Sequence, residues 1–493
     1  MHKKHHIKHK SRIIVSLIIL ITIVTGVSFK LIKRFDMVNK QVYRIYEDDL
    51  RTHIEQFHST DDILNYIKDW GYKQGLISIM DDSNNIIFQR PATAGNEGNN
   101  PTVVCVDVDY LTIDKNISDI STALYIAAAQ NDQKLKGGAI TVIFLNDDKN
   151  LNIGARDLDP EYIPSGASVF YLSSNKDSYS SRSSFARSVS NIHIDNDFEE
   201  RTCDTMLKIK IEGVNMSSSG DAQDSQPPVI QQLQSILTRL RTKSTQFEIS
   251  DISLSDNGNL KPTSLELNLL INNYDLEAYK KWFDDKSNKF EKKYKKNNPN
   301  ISYTYEVITE QGSLPTYVYG SECIKSLSNI LYTIKNGDYK FEDEKDNDLG
   351  NKNIKRYGKN IITNISTGSD SIDLKIVTDA IDEAYVAQIQ DENSTAAVIF
   401  NSTYTSDEVI PAFNNKDHSL NKMLAKAYTK VNLFTDRNIT LPEEWDESFT
   451  TCSYLNLKND KLNTLHISIS ENDGPNISNV LLNYHNWPEG KWI

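Results

Sequence analysis

Two short apolar runs with a helical segment between them constrain this chain most. Thr102–Asp109 (TVVCVDVD) and Ala139–Leu145 (AITVIFL) are rich in β-branched residues and short for helices. Both read as strands covered on both faces. Ser121–Gln130 between them reads as a helix. Strand, helix, strand with acids at the strand ends predicts an α/β sheet whose functional edge lies at the C-terminal ends of its strands. Upstream, Ile63, Leu64, Ile67 and Trp70 share one face of a helix over Asp61–Gly75. The runs Leu76–Met80 and Ile86–Gln89 read as strands around the turn DDSNN.

From Met206 the pattern changes. LKIKIEGV, a helix over Pro228–Arg241, EISDISL, SLELNLLI, a charged helix over Asp275–Lys296 and ISYTYEVI follow in that order. This succession predicts a ferredoxin-like module. NIITNIS and DLKIVTDAI bracket the turn Thr367–Asp370 as a hairpin, Lys335–Lys355 reads as a charged loop, and a helix begins near His418. A chain of 493 residues exceeds one simple core and suggests two or three domains.

The N-terminus constrains location. Ile13–Phe29 is 17 residues without a charge, and Leu31 and Ile32 extend it past Lys30, which can snorkel. Five basic residues precede the run and three follow, favouring an N-terminus inside and a body outside. A cleaved signal peptide is the rival reading; no small-x-small site stands out near Gly26–Ser28, which favours an uncleaved anchor. Residues 1–38 hold eight Lys/Arg and one acid, leaving a balance of −20 in the remainder. So acidic a body argues against nucleic acid as the main partner. Cys105, Cys203, Cys323 and Cys452 form no CxxC pair, which excludes a zinc ribbon and leaves one or two disulfides open.

The stretch DILNYIKDWGYKQGLISIMDDSNNIIFQRPATAGNEGNNPTVVCVDVDYL resembles the start of the aminoacyl-histidine dipeptidases, zinc peptidases whose catalytic domain is interrupted by a lid. The resemblance weakens beyond it but spans roughly residues 55–480. It implies an α/β zinc-exopeptidase-like domain, a mixed sheet flanked by helices (61–204 and 413–493), with an inserted α+β ferredoxin-like lid (205–412); ahead of it the residues themselves mark a cytoplasmic basic tail (1–12), a transmembrane anchor (13–32) and a polar stalk (33–60). The resemblance also implies a homodimer through the lid, and a peptide or protein partner for the old cleft.

The family's site positions are altered almost throughout. Its first His-x-Asp motif becomes Asp107-Val108-Asp109, keeping the supporting Asp as Asp109 and replacing the His ligand by Asp107. The bridging Asp falls on Asp119. The Glu-Glu pair, base and ligand, falls on Asp147 and Asp148, and the next Asp ligand on Ser174. The last His ligand falls near Cys452, the lid's His on Ser218, and the Arg that grips a substrate carboxylate on Thr378. From residue 60 onward the histidines are His193, His418, His466 and His485, none at a matched position. Imidazole is central to such zinc sites. The resemblance therefore implies a pseudo-peptidase with no zinc cofactor. Two alternatives stay open for the acids: solvated or paired side chains, or an all-oxygen site for Zn, Mn, Mg or Ca that supports a divergent metal-dependent hydrolase. Cys105 reads as core, Ser217–Ser219 as a flexible loop and Lys280–Lys296 as a solvated helix face.

Overall fold

The computed structural model describes residues 35–129, 135–147, 152–214, 227–256, 261–296, 298–339, 358–415, 419–435, 437, 439–444, 449–458 and 463–486. The apolar run 13–32, Asp148, Ser218 and most of the charged loop at 335–355 lie outside these residues. Among the described residues no helix is long and apolar enough to cross a membrane. The chain is mixed α/β and divides into two units, Met1–Arg182 with Asn415–Glu444 and Tyr454–Ile493, and Ser183–Asn414 with Trp445–Ser453.

The first unit is built on an eight-stranded sheet. Its centre is the parallel set Ile140–Asn146, Thr102–Val108, Ser168–Ser174 and Asn463–Ile469, in that spatial order. Alternate residues divide the faces, as a pleat requires. Val104, Val106, Val108, Phe170, Leu172, Leu465, Ile467 and Ile469 enter one core cluster. The helices Lys40–His53, Thr60–Lys73, Ile117–Ala129, Ser419–Phe434 and Gly474–Asn486 pack their apolar stripes into it. The helix Thr60–Lys73 buries Ile63, Leu64, Ile67 and Trp70, the four residues its spacing marked, and Ser59 caps it by accepting from Asp62 N.

Of the expected stalk at 33–60, the described residues 35–60 pack into the first unit instead. Asn39 caps the helix Lys40–His53, and Tyr43 and Leu50 on its inner face are 1% and 0% exposed. Tyr43 Oη lies 3.1 Å from the carbonyl of Ser118, and Asp36 accepts from the buried Arg437 guanidinium at 2.7 Å. The sequence reads polar because only a narrow stripe of the helix faces the core, and because tyrosine hides its hydroxyl by hydrogen bonding.

The second unit carries a nine-stranded sheet. Four of its strands, Ser302–Ile308, Thr205–Glu212, Ser264–Ile271 and Phe247–Ser255, lie in that order and all pair antiparallel. With the helices Val229–Thr242 and Leu276–Tyr294 as connections, this is the ferredoxin-like arrangement. The hairpin Gly358–Thr367 and Ser371–Ala380 extends the sheet to Ala186–Asp195 and Thr403–Ser406. Ala186–Asp195 is thus hydrogen-bonded inside the second unit, which begins at Ser183 and not at 205. All four cysteines are free and buried, so the disulfides left open by the sequence are not formed.

Candidate functional site

The four central strands of the first unit run parallel, so their C-terminal ends share one edge. The chain leaves Thr102–Val108 through the helix Ile117–Ala129 to reach one neighbour, Ile140–Asn146, and later returns to the other, Ser168–Ser174. The order reverses between Thr102–Val108 and Ser168–Ser174. Such a switch point leaves a crevice outside the strand ends, where open α/β sheets bind ligands.

Three of the matched positions meet there. Asp107 points off the face opposite the main core, and Tyr171 Oη donates to its Oδ2 at 2.6 Å. Asp119 lies in the first turn of the helix Ile117–Ala129. Its backbone N donates to Ser174 Oγ at 3.2 Å, and its Oδ1 accepts from Ile120 N at 2.7 Å. Asp119 is 2% exposed. Burial holds its carboxyl well above the usual carboxylate range, and the charge of Asp107 adds to the shift; the bonds to Ile120 and Ser174 oppose it.

One strand further, His466 lies in register with Tyr171. Its Nε2 is 2.7 Å from Ser173 Oγ, its ring stacks on Tyr171 at 5.2 Å, and Tyr179 meets it edge-on at 5.8 Å. Sequence reasoning set His466 aside because it matched no ligand position. The alternation Leu465, Ile467, Ile469 against Thr464, His466, Ser468 carries the missed signal, since it puts this imidazole on the same face as Tyr171.

The other positions lead elsewhere. Asp109, 1% exposed, accepts from Leu111 N at 3.0 Å and turns the chain at the strand end. Asp147, 5% exposed, accepts from Asn152 N at 2.5 Å, while its own N donates to Val108 O. Thr378 and Cys452 belong to the second unit. Thr378 is fully buried and donates to Asn360 Oδ1 at 2.8 Å, inside a network that also holds Asn393. On the adjoining strand Arg187 grips Asp379 through both guanidinium branches, at 2.7 and 2.9 Å. Cys452 opens the short helix Cys452–Leu457 and is 0% exposed. Burial pushes the Cys105 thiol far up, as a core cysteine requires.

Among the described residues no three His, Cys, Asp or Glu side chains form a group that could hold a metal ion. Asp107 and Asp119 are therefore not joined by Asp109 or Asp147. Among the described residues, two carboxyls, one of them held above the usual carboxylate range, are fewer than the three or four deprotonated ligands that a zinc centre takes.

No protein-family model and no curated protein sequence matches the chain. Solved structures do. A tripeptidase from Staphylococcus aureus subsp. aureus mu50 aligns over 91% of this chain and 98% of its own at 10% identity, with a TM-score of 0.49. Aminopeptidase PepT from Bacillus cereus ATCC 10987 gives 91%, 99%, 10% and 0.47 for the same quantities. Aminoacylhistidine dipeptidase from Vibrio alginolyticus aligns over 88% of this chain and 92% of its own, at 11% identity and a TM-score of 0.53. At that identity the likeness is one of architecture: this chain has the fold of the aminoacylhistidine dipeptidase.

Proposed function

We propose that this chain is a membrane-anchored, extracytoplasmic protein that keeps the dipeptidase fold, has lost the zinc site, and serves a binding or scaffold role. One observation carries the reading. Four of the carboxylates at matched ligand positions each accept a hydrogen bond from within the fold: Asp107 from Tyr171, Asp109 from Leu111 N, Asp119 from Ile120 N and Asp147 from Asn152 N. The anchor rests on the charge-free run Ile13–Phe29 and its basic flanks. A peptide or protein partner and a homodimer through the second unit belong to the same reading. Metal content by elemental mass spectrometry, after exposing the purified full chain to Zn²⁺, Mn²⁺, Ca²⁺ and Mg²⁺ and desalting, tests it. The reading expects no stoichiometric metal and no dipeptide hydrolysis.

A second reading, a metal-dependent hydrolase on carboxylates, draws on the Asp107 and Asp119 pair at the switch point, since opposed carboxyls with a raised pKa mark working sites. Stoichiometric metal that vanishes in Asp119→Asn, together with metal-dependent dipeptide cleavage, would replace the first reading by this one.

A further inference from the structure

The second unit contains an open cavity of about 1030 Å³ between the helices Val229–Thr242 and Ser321–Thr333, with Trp282 of the helix Leu276–Tyr294 on its wall. Arg239, Arg241 and Lys243 line it, and no Asp or Glu is among its described lining residues. A fourth cation, Lys286 of the charged helix, stands next to this lining: it hydrogen-bonds Ser235 and lies 5.0 Å over the Trp282 ring. The Arg239 guanidinium lies 4.9 Å from the same ring.

Two like charges against one indole need a reason. None of the four cations has a carboxylate partner among the described residues, in a chain whose net charge is −13. Acids on the same helix are engaged elsewhere: Glu277 with Lys280, Asp285 with Lys289, and Asp284 with Tyr305. Arg239 Nε is buried and has no hydrogen-bond partner. Arg241 donates to the neutral groups Asn329 Oδ1, at 3.1 Å, and Ser328 Oγ, at 3.5 Å. Burial and the nearness of Arg239 both push the Lys286 ammonium below its ordinary value, so Lys286 and Arg239 repel across a partly dry space. The helix Val229–Thr242 ends here and its dipole offers about half a negative charge, against four positive ones. The solvated-face reading of Lys280–Lys296 therefore holds for the outer side of that helix and fails at Lys286.

We infer that this cavity binds a multiply charged oxyanion, phosphate or carboxylate in chemistry, held by Arg239, Arg241, Lys243 and Lys286. Planar guanidinium forks match such oxygens bidentately. The inference rests on the second unit alone and stands whether or not the first unit has a metal.

Calorimetric titration of the full chain with inorganic pyrophosphate, and separately with citrate, tests it. Saturable binding of either or both supports the inference, and the stronger of the two identifies the oxyanion. Arg239→Gln and Lys286→Gln should each weaken that binding about tenfold or more, the worth of one charge-assisted hydrogen bond. Lys281→Ala with Lys292→Ala, which removes two exposed cations from the same helix, should leave it unchanged. Circular dichroism melting confirms that the variants fold, and Arg241→Gln replaces any that does not. No saturable binding of either probe at millimolar concentration overturns the inference. So does an equal loss in the Lys281 and Lys292 control.

Discussion

His485 is buried at 1% exposure, with Nδ1 3.1 Å from Thr102 Oγ1 and the Arg90 guanidinium 3.4 Å from Nε2. Burial, aided by Arg90, pushes its pKa down to about 3 from an ordinary 6.5. The folded state keeps the ring neutral while the unfolded chain protonates it, so the unfolded state binds more protons between those values. Stability is full above pH 6.5 and falls as pH drops toward 3, with a slope of up to about 1.4 kcal/mol per pH unit from this one group. Urea unfolding from pH 7 to pH 4 should show a shallower acid limb in His485→Gln than in the parent; equal slopes would remove His485 from the account. The Arg187 and Asp379 pair makes a second residue-scale case. Both side chains are about nine-tenths buried, so Arg187→Met strands a carboxylate and should cost about 3–5 kcal/mol. Arg187→Met with Asp379→Leu should recover much of that loss, as a double-mutant cycle would record.

At the scale of elements, the helix Lys40–His53 is welded to the first unit. A Cβ on Gly474 would collide with Tyr43 Oη, so the start of the helix Gly474–Asn486 needs glycine to admit that tyrosine. Gly474→Ala should destabilise by about 1–3 kcal/mol, seen as a lower melting temperature, and Tyr43→Phe should relieve only part of it. Removing residues 35–56 takes Val38, Tyr43 and Leu50 out of the core cluster and should stop the first unit from folding, whereas loss of a true stalk would leave its melting unchanged. What the sequence made legible follows the same physics. TVVCVDV and AITVIFL were readable because burial on both faces leaves nearly unbroken apolar runs, and LELNLLI because its leucines alternate with Glu266 and Asn268. The helices at Ile63 and at Leu233 were readable because each buries one apolar stripe at helical spacing. Ser168–Ser174 was obscured because its apolar run VFYL is short and flanked by serines, and Asn463–Ile469 because Thr464, His466 and Ser468 fill one of its faces. That polar face is also where Asp107, Tyr171 and His466 meet. The acids at the strand ends were visible as a pattern, but their partners are backbone amides two to five residues onward, which spacing alone does not reveal.

For the whole molecule, the proposed anchor makes a direct test possible. Protease added to intact cells should remove the body, and mass spectrometry of the full-length protein should find residues 1–32 still attached. A body released into the medium with a trimmed N-terminus would favour the signal-peptide reading instead. The structure adds a constraint to that picture. Phe35 is 3% exposed and packs as part of the first unit, and residues 33–35 can span at most ~10 Å. With no tether, the body would rest against the lipid headgroups. It would sweep a thin layer along the bilayer and meet its partners by lateral diffusion. A molecule free in the surroundings would have to come down to it, while one embedded in the same membrane would be found by a search in two dimensions.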